Sequence, residues 1–428
     1  MISETLPQLI EENKVINRNS LFETYLMTEI KRQKIEKKRE LLIDAPKRLQ
    51  LMRLMAFELF NKKNSEGLIS SEVLELVRGH LTPEQMLQLE GHISDFLTCS
   101  FLKRDGSKFS FSHQTIMEFL VSEVLYEEIS KGNSSYFEKL ELTEPMLDLL
   151  SEKEINNATI WKWVTLTRKI TSIPETFLGS NAISLLNKLG YNLAGSDLSM
   201  TDIHGAKLER VDLSKANLES ANCRGIFLSE SNLNEACLES ANLDFADLSR
   251  SSLSGASLSK ASIEQANLND TDLQGADLSV ANMVYSSLEE ADLEGADLSG
   301  CDLTGVNLRK ANLVRANLSG ANLEEADLSE ADLSNADIRD TNLYSILEGT
   351  KLYGTIFNDS TTIDWKRLGC NINEALNQGY IDKALHEFLK PYIKLNIIRE
   401  RETENDEYSY SNDEDEYKEE NEDRSNGL

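Results

Sequence analysis

The chain has 428 residues but only five histidines and five cysteines, and this scarcity narrows its chemistry first. No H-E-x-x-H pattern or Cys/His cluster occurs among His80, His92, His113, His204 and His386, so a metal site is not expected. The cysteines (99, 223, 237, 301 and 370) have no ligand spacing; three fall inside repeated phrases, where small core residues are expected, and a reducing cytoplasm is the natural setting. No apolar run approaches the ~18 residues of a membrane-spanning helix. The start, MISETLPQLIEEN, lacks the basic residues and apolar core of a secretory signal. Neither a G-x-x-x-x-G-K-[ST] phosphate loop nor a G-x-S-x-G nucleophile elbow is present. No catalysis and no cofactor are expected.

Basic residues are also short, at 44 against 73 acidic ones, a net charge of −29. Residues 1–190 carry −3, residues 191–345 carry −17, residues 346–399 carry +1 and residues 400–428 carry −10. The last stretch, with NDEDEYKEENEDR, reads as a disordered acidic tail from 399 onward. The run KRQKIEKKR from Lys31 to Arg39 lies on an expected helix as a solvated face, without the aromatic interleaving of a nucleic-acid surface.

What the chain has in abundance is one five-residue phrase, Ala-(Asp/Asn)-Leu-x-x, in 31 consecutive copies from Tyr191 to Ser345. The centre is Leu in 26 copies, the residue two before it is Ala in 19, and the residue one before it is Asp or Asn in 24. Period five suits neither a helix nor a flat strand. It suits a chain that turns a corner at every phrase, with the centre and the small residue inward and x-x at the corner. An Ala-plus-Leu interior leaves little room for larger side chains. The repeated Asp and Asn are expected to bond backbone groups at the bends.

The outer residues recur every twenty positions, which means four phrases per circuit. Gly195, Gly255, Gly275 and Gly295 share one column, and Gly205, Gly225 and Gly305 another. A third holds Arg210, Glu230, Arg250, Asp270, Glu290, Lys310 and Glu330, a weak ladder of exposed ion pairs. With ~4.8 Å between stacked strands, about eight turns make a rod of about 37 Å. Phe245 and Tyr285 interrupt a glycine column on either side of Gln265, with Val284 beside Tyr285. These four are the candidate partner-binding residues; local covering of neighbouring side chains is the alternative.

This pattern resembles the pentapeptide-repeat family over residues 191–345, which implies a right-handed quadrilateral β-helix. The phase then slips by one, to Leu347, Leu352 and Phe357, and TIFNDSTTIDW (355–365) is similar to the family's closing coil. The expected solenoid spans 191–365. An open solenoid end exposes unpaired backbone. A helix near Asn181–Leu189 is therefore expected over the first turn, within a helical linker spanning 131–190. An amphipathic helix from Ile372 to Leu389 (capping segment 366–398) is expected over the last turn, with homodimerisation through it as the alternative.

In front of the repeats, Leu51, Leu54, Met55 and Leu59 share one face of a helix from Lys47 to Phe60. Ser70-Ser71 is expected to cap a second helix ending at Gly79, and Thr82-Pro83-Glu84 to open a third reaching Ser94. Two short strands flank Asp105-Gly106, and a helix follows from His113 to Ile129. This order suggests a winged helix. FLKRDGSKFSFSHQTIMEF (101–119), with its Phe111-x-His113 and Glu118-Phe119, resembles the end of the NACHT class of STAND signalling NTPases. INRNSLFETY (16–25) is similar to the helical segment preceding it there, and the resemblance covers 1–130. It implies that His113 meets the phosphates of bound ADP only if an NTPase core is supplied. Such a core would lie before Met1 or come in trans.

The resemblances imply a mixed fold, an all-α/winged-helix region followed by the β-helix. They also imply a non-catalytic scaffold or sensor that binds a protein partner through the β-helix. The alternative is an acidic DNA mimic acting on a topoisomerase or another DNA-binding protein. Neither direct nucleic-acid binding nor membrane contact is expected.

Overall fold

A computed structural model describes residues 16–35, 42–62, 67–80, 82–98, 101–169, 176–363 and 372–389. Cys99, Cys370, the acidic tail, the basic run past Ile35 and the closing coil past Ile363 lie outside them. The chain forms two units, Met1–Asn267 and Leu268–Leu428.

The first unit begins with α1 (Arg18–Ile35) and α2 (Ala45–Asn61). Asp44 caps α2 by accepting the Lys47 N–H at 2.8 Å, and Pro46 occupies the first turn, where no N–H is needed. Leu51, Met55 and Leu59 are buried on its inner face, with Leu54 half-buried. Next come β1 (Leu68–Ile69), α3 (Ser70–Arg78), α4 (Pro83–Met86), α5 (Leu89–Leu97), β2 (Leu102–Asp105), β3 (Lys108–Phe111) and α6 (Gln114–Ser130). α2 packs against α6. Phe22 of α1 stacks on Phe119 of α6 at 5.2 Å. Arg48 and Asp95, both buried, form an ion pair that ties α2 to α5.

Four local expectations change. The serines do not cap α3, because both already lie inside it; the Glu72 carboxylate reaches back to accept the Ile69 N–H at 3.0 Å. The helix expected from Thr82 to Ser94 breaks at Leu87, which is 86% exposed, and restarts as α5 with Ile93 and Phe96 in the core. β1 joins the hairpin through Leu68↔Phe109, giving an antiparallel sheet of order β1-β3-β2. Asp105 pairs with Lys108, so the loop is Gly106-Ser107, one residue later than expected, with Gly106 at φ 59°.

The segment expected as a linker has its own core. α7 (Glu144–Ser151), α8 (Asn157–Leu166) and α9 (Leu178–Lys188) enclose Phe137 and Trp163, whose rings lie 5.1 Å apart. The buried Asn181 side chain donates to the Phe137 and Leu140 carbonyls and accepts the Leu142 N–H at 2.9 Å.

Four-phrase turns follow from Tyr191. Parallel bridges join residues twenty apart, as in Asp197↔Asn217 and Asp202↔Asn222, and Leu208, Leu213, Leu218 and Leu228 are fully buried inside. The N-terminal helices close the open end. Within the coil, Asn222 and Phe227 donate their N–H groups to the carbonyls of Thr201 and Ala206. One turn earlier no coil carbonyl exists for this. There Asp202 donates to Thr167 Oγ1 (3.0 Å) and Lys207 to Ser184 Oγ (2.8 Å).

The second unit continues with the same turns. At Ser345 one corner residue is missing, and the bridges become nineteen apart: Asp327↔Ile346, Asp332↔Lys351 and Asp337↔Ile356. β4 (Asn342–Leu343) then pairs in parallel with β5 (Thr362–Ile363). The expected single helix 372–389 is broken: α10 (Ile372–Gln378) ends at Gly379, φ 76°, and helix resumes over residues 383–389. The Tyr380 carbonyl between them accepts the Leu352 N–H, and Phe357 meets Phe388 at 4.7 Å. Ala375, Leu385 and Leu389 are buried within this unit. No described helix is long and apolar enough to cross a membrane.

Candidate partner-binding edges

Each corner is built by two devices. The Asp or Asn before the centre accepts, through Oδ1, the N–H two residues on: Ser249 to Asp247 at 3.1 Å, Ser299 to Asp297 at 2.9 Å. Many of these oxygens also accept from an Asn one turn later, as Asp292 does from Asn312 at 2.8 Å. The second outer residue is left-handed at every corner from Gly195 to Asp340, with φ between 53° and 71°. Glycine reaches this region freely, and other residues do so at a cost. The glycine columns therefore mark only some of the corners that need this geometry.

Side chains at the corners are what can vary. On the charged column, Arg210 Nε lies 2.8 Å from Glu230 in the first unit, and Lys310 Nζ 2.9 Å from Glu290 in the second. The Arg210 hydrogen bond and charge hold the Glu230 carboxyl below its usual range. Other corners pair as well: Lys260 with Glu239, Arg315 with Glu294, Lys351 with Asp332.

The four candidate residues fall in separate units. Phe245 is 46% exposed, with the Arg224 guanidinium 4.7 Å above its ring, and Gln265 is exposed in the same unit. Val284 is half-buried and Tyr285 is 60% exposed in the second unit. The Tyr285 ring lies directly against Gly305, where a Cβ would stand 2.4 Å from two ring carbons. Sequence reading missed Tyr344, Ile346, Tyr353 and Ile356, which are 44–56% exposed beyond or beside the slip. Ile346 and Ile356 stand where the phrase has Asp or Asn, and that substitution was the available signal.

His113 is exposed at the N-terminus of α6, and its side chain makes no capping bond. A cleft of about 570 Å³ opens beside it, lined among others by Phe60, Lys103, Ser112, Gln114, Lys139 and Lys207. Burial pushes the Cys223 and Cys301 thiols up to about 12, which leaves them unreactive at neutral pH. Cys237 departs from the expected core role: it occupies the Asp/Asn position and is half-buried. Among the described residues no group of three or more His, Cys, Asp or Glu could hold a metal ion.

A family model described as Pentapeptide repeats matches in eight copies, across 212–244, 236–275, 271–309, 311–345 and 321–359. No curated protein matches. Among solved structures, HetL, a pentapeptide repeat protein involved in heterocyst differentiation regulation from the cyanobacterium Nostoc sp. strain PCC 7120, is 33% identical. The match covers 40% of this chain and 86% of HetL, with a TM-score of 0.20. QnrB1, a plasmid-mediated fluoroquinolone resistance protein, is 20% identical over 39% of this chain and 91% of its own, TM-score 0.34. Rfr23 from the cyanobacterium Cyanothece 51142 is 26% identical over 38% and 91%, TM-score 0.13.

Proposed function

The chain belongs to the pentapeptide-repeat family, and on that premise we propose that it is a non-catalytic recognition module whose β-helix surface binds a protein partner. The observation that carries this reading is the joint between the helices and the first turn of the coil. Thr167 and Ser184 replace missing backbone partners there, and Lys207 Nζ donates to the Leu142 carbonyl at 2.6 Å. A load on the first turns therefore reaches the helical region without a linker to absorb it.

We read the helix–strand–helix–helix–helix–strand–strand order of residues 45–111 as a winged helix, and the region as the end of a NACHT/STAND switch. Its partner in relay is an NTPase core, and only with that core does His113 meet a nucleotide. The setting is the reducing cytoplasm, in keeping with the free thiols of Cys223, Cys237 and Cys301.

The test is capture from native lysate with the full chain as bait, beside variants carrying Phe245→Ser or Tyr285→Ser. A partner held by the wild type and lost from one of them supports the reading. Equal capture by all three, or none by any, counts against it.

The acidic excess over 191–345, 27 carboxylates against ten basic residues, favours DNA mimicry as a second reading. A DNA-gyrase supercoiling assay decides it: no inhibition or protection at micromolar protein removes it.

A further inference from the structure

One corner of the second unit differs from the others in charge and in shape. Its residues succeed one another by backbone hydrogen bonds, one turn at a time. Tyr285 donates to the Thr304 carbonyl (2.9 Å), Gly305 to Glu324 (2.8 Å) and Glu325 to Tyr344 (2.9 Å). The edge thus reads Tyr285, Gly305, Glu325, Tyr344. The missing corner residue brings Ile346 directly after Tyr344 and Ser345.

Two tyrosines, 60% and 51% exposed, therefore bracket two exposed carboxylates, Glu324 and Glu325. Neither carboxylate has an ion pair among the described residues, whereas Glu290, Glu294, Asp327 and Asp332 on other edges have Lys310, Arg315, Arg309 and Lys351. Glycine at 305 lets the Tyr285 ring lie down on the backbone of the next turn. Residues 268–363 hold five basic side chains against eighteen acidic ones, and all five pair with carboxylates other than these two.

We propose that this edge is the docking site for an extended, arginine-bearing segment of a partner protein. The assignment deepens the recognition reading above and rests on it. Guanidinium fits both features, since it stacks on aromatic faces and pairs with carboxylates through two parallel hydrogen bonds; a lysine ammonium is a hydrated point charge. From the Tyr285 strand to the Tyr344 strand is three spacings, about 14 Å. An extended chain puts side chains on one side every ~6.6 Å, so arginines four residues apart reach about 13 Å.

The probe is a fluorescein-labelled Gly/Ser decapeptide with two arginines four apart, titrated with the full chain by anisotropy. Its lysine counterpart is run beside it. Glu324→Gln with Glu325→Gln, and separately Tyr285→Ser with Tyr344→Ser, are expected to weaken arginine-peptide binding about tenfold each. Glu209→Gln with Glu219→Gln removes the same charge elsewhere and leaves binding within about twofold. No binding to the wild type, equal loss in both glutamine variants, or equal affinity for the lysine peptide overturns the assignment. Lysate capture that survives Glu324→Gln with Glu325→Gln also overturns it while leaving the general recognition reading standing. Loss of peptide binding in that variant, with no lysate partner for the wild type, supports the edge and counts against the general reading.

Discussion

The Cα of Gly179 in α9 sits so close to the Asp202 carbonyl that a Cβ there would lie 1.8 Å from the oxygen. Only glycine lets the last helix of the N-terminal region come down onto the first turn of the coil, and that approach brings Thr167 and Ser184 to the N–H groups of Asp202 and Lys207. Gly179→Ala is expected to lower stability by at least ~1–3 kcal/mol, the range for overpacking a close contact. Thr167→Val, nearly the same shape without the hydroxyl, leaves the Asp202 N–H unpaired and is expected to cost ~1–3 kcal/mol. Denaturant titration of both variants checks this; wild-type midpoints would mean that the helices do not cap the coil.

Left-handed corners give a prediction of opposite sign. Val280 sits at φ 59° with 62% of its surface exposed, and its branched Cβ is poorly suited to that region. Val280→Gly is expected to raise stability by about 0.5–1 kcal/mol, the relief of the strain exceeding glycine's added unfolded-state entropy. Gly305→Ala goes the other way, adding strain and displacing the Tyr285 ring. Thermal melts should order the three proteins Val280→Gly, wild type, Gly305→Ala.

The interior was legible because every phrase makes the same two demands, a Leu-sized centre and a small neighbour, and thirty-one copies average out local exceptions. The slip at Ser345 was legible for the same reason, as a break in phase. The break at Leu87 was not: the Thr82-Pro83 start signal is real, yet burial of Ile93 and Phe96 decides where the helix continues. β1 is two residues long, too short for any alternation to show. Cys237 misled because size suggested the core while its register put it on the face. The Tyr285–Tyr344 edge was half visible, as an aromatic corner. Its other half depends on which carboxylates lack cations, a property of three-dimensional pairing.

Acid should act through the paired carboxylates. Burial raises the Asp332 pKa, but the hydrogen bonds from Lys351 and Ser334 and the Lys351 charge outweigh it, leaving the folded value below the ordinary 3.8. A depressed folded pKa contributes stability that is fully present above the unfolded value and is lost as pH falls through the folded one. Asp332→Asn should therefore be less stable than the wild type at pH 7, and the gap should close as pH falls below about 4. Urea midpoints of both proteins between pH 7 and pH 3 measure it. A gap that stays constant would show that Asp332 acts through its shape rather than its charge.

The far end of the coil depends on the Tyr380 carbonyl and on Phe388 against Phe357. Deleting residues 371–398 removes both and leaves the Leu352 N–H without its partner, at the exposed edge of a parallel stack. Such an edge offers a template for pairing with other chains. The expected outcome is concentration-dependent association of the truncated chain, seen by light scattering, with the last turns losing hydrogen-exchange protection before the middle ones. If residues 372–389 were instead a dimer contact, the full chain would have twice its monomer mass and the deletion would give a well-protected monomer. Mass and protection together separate the two roles.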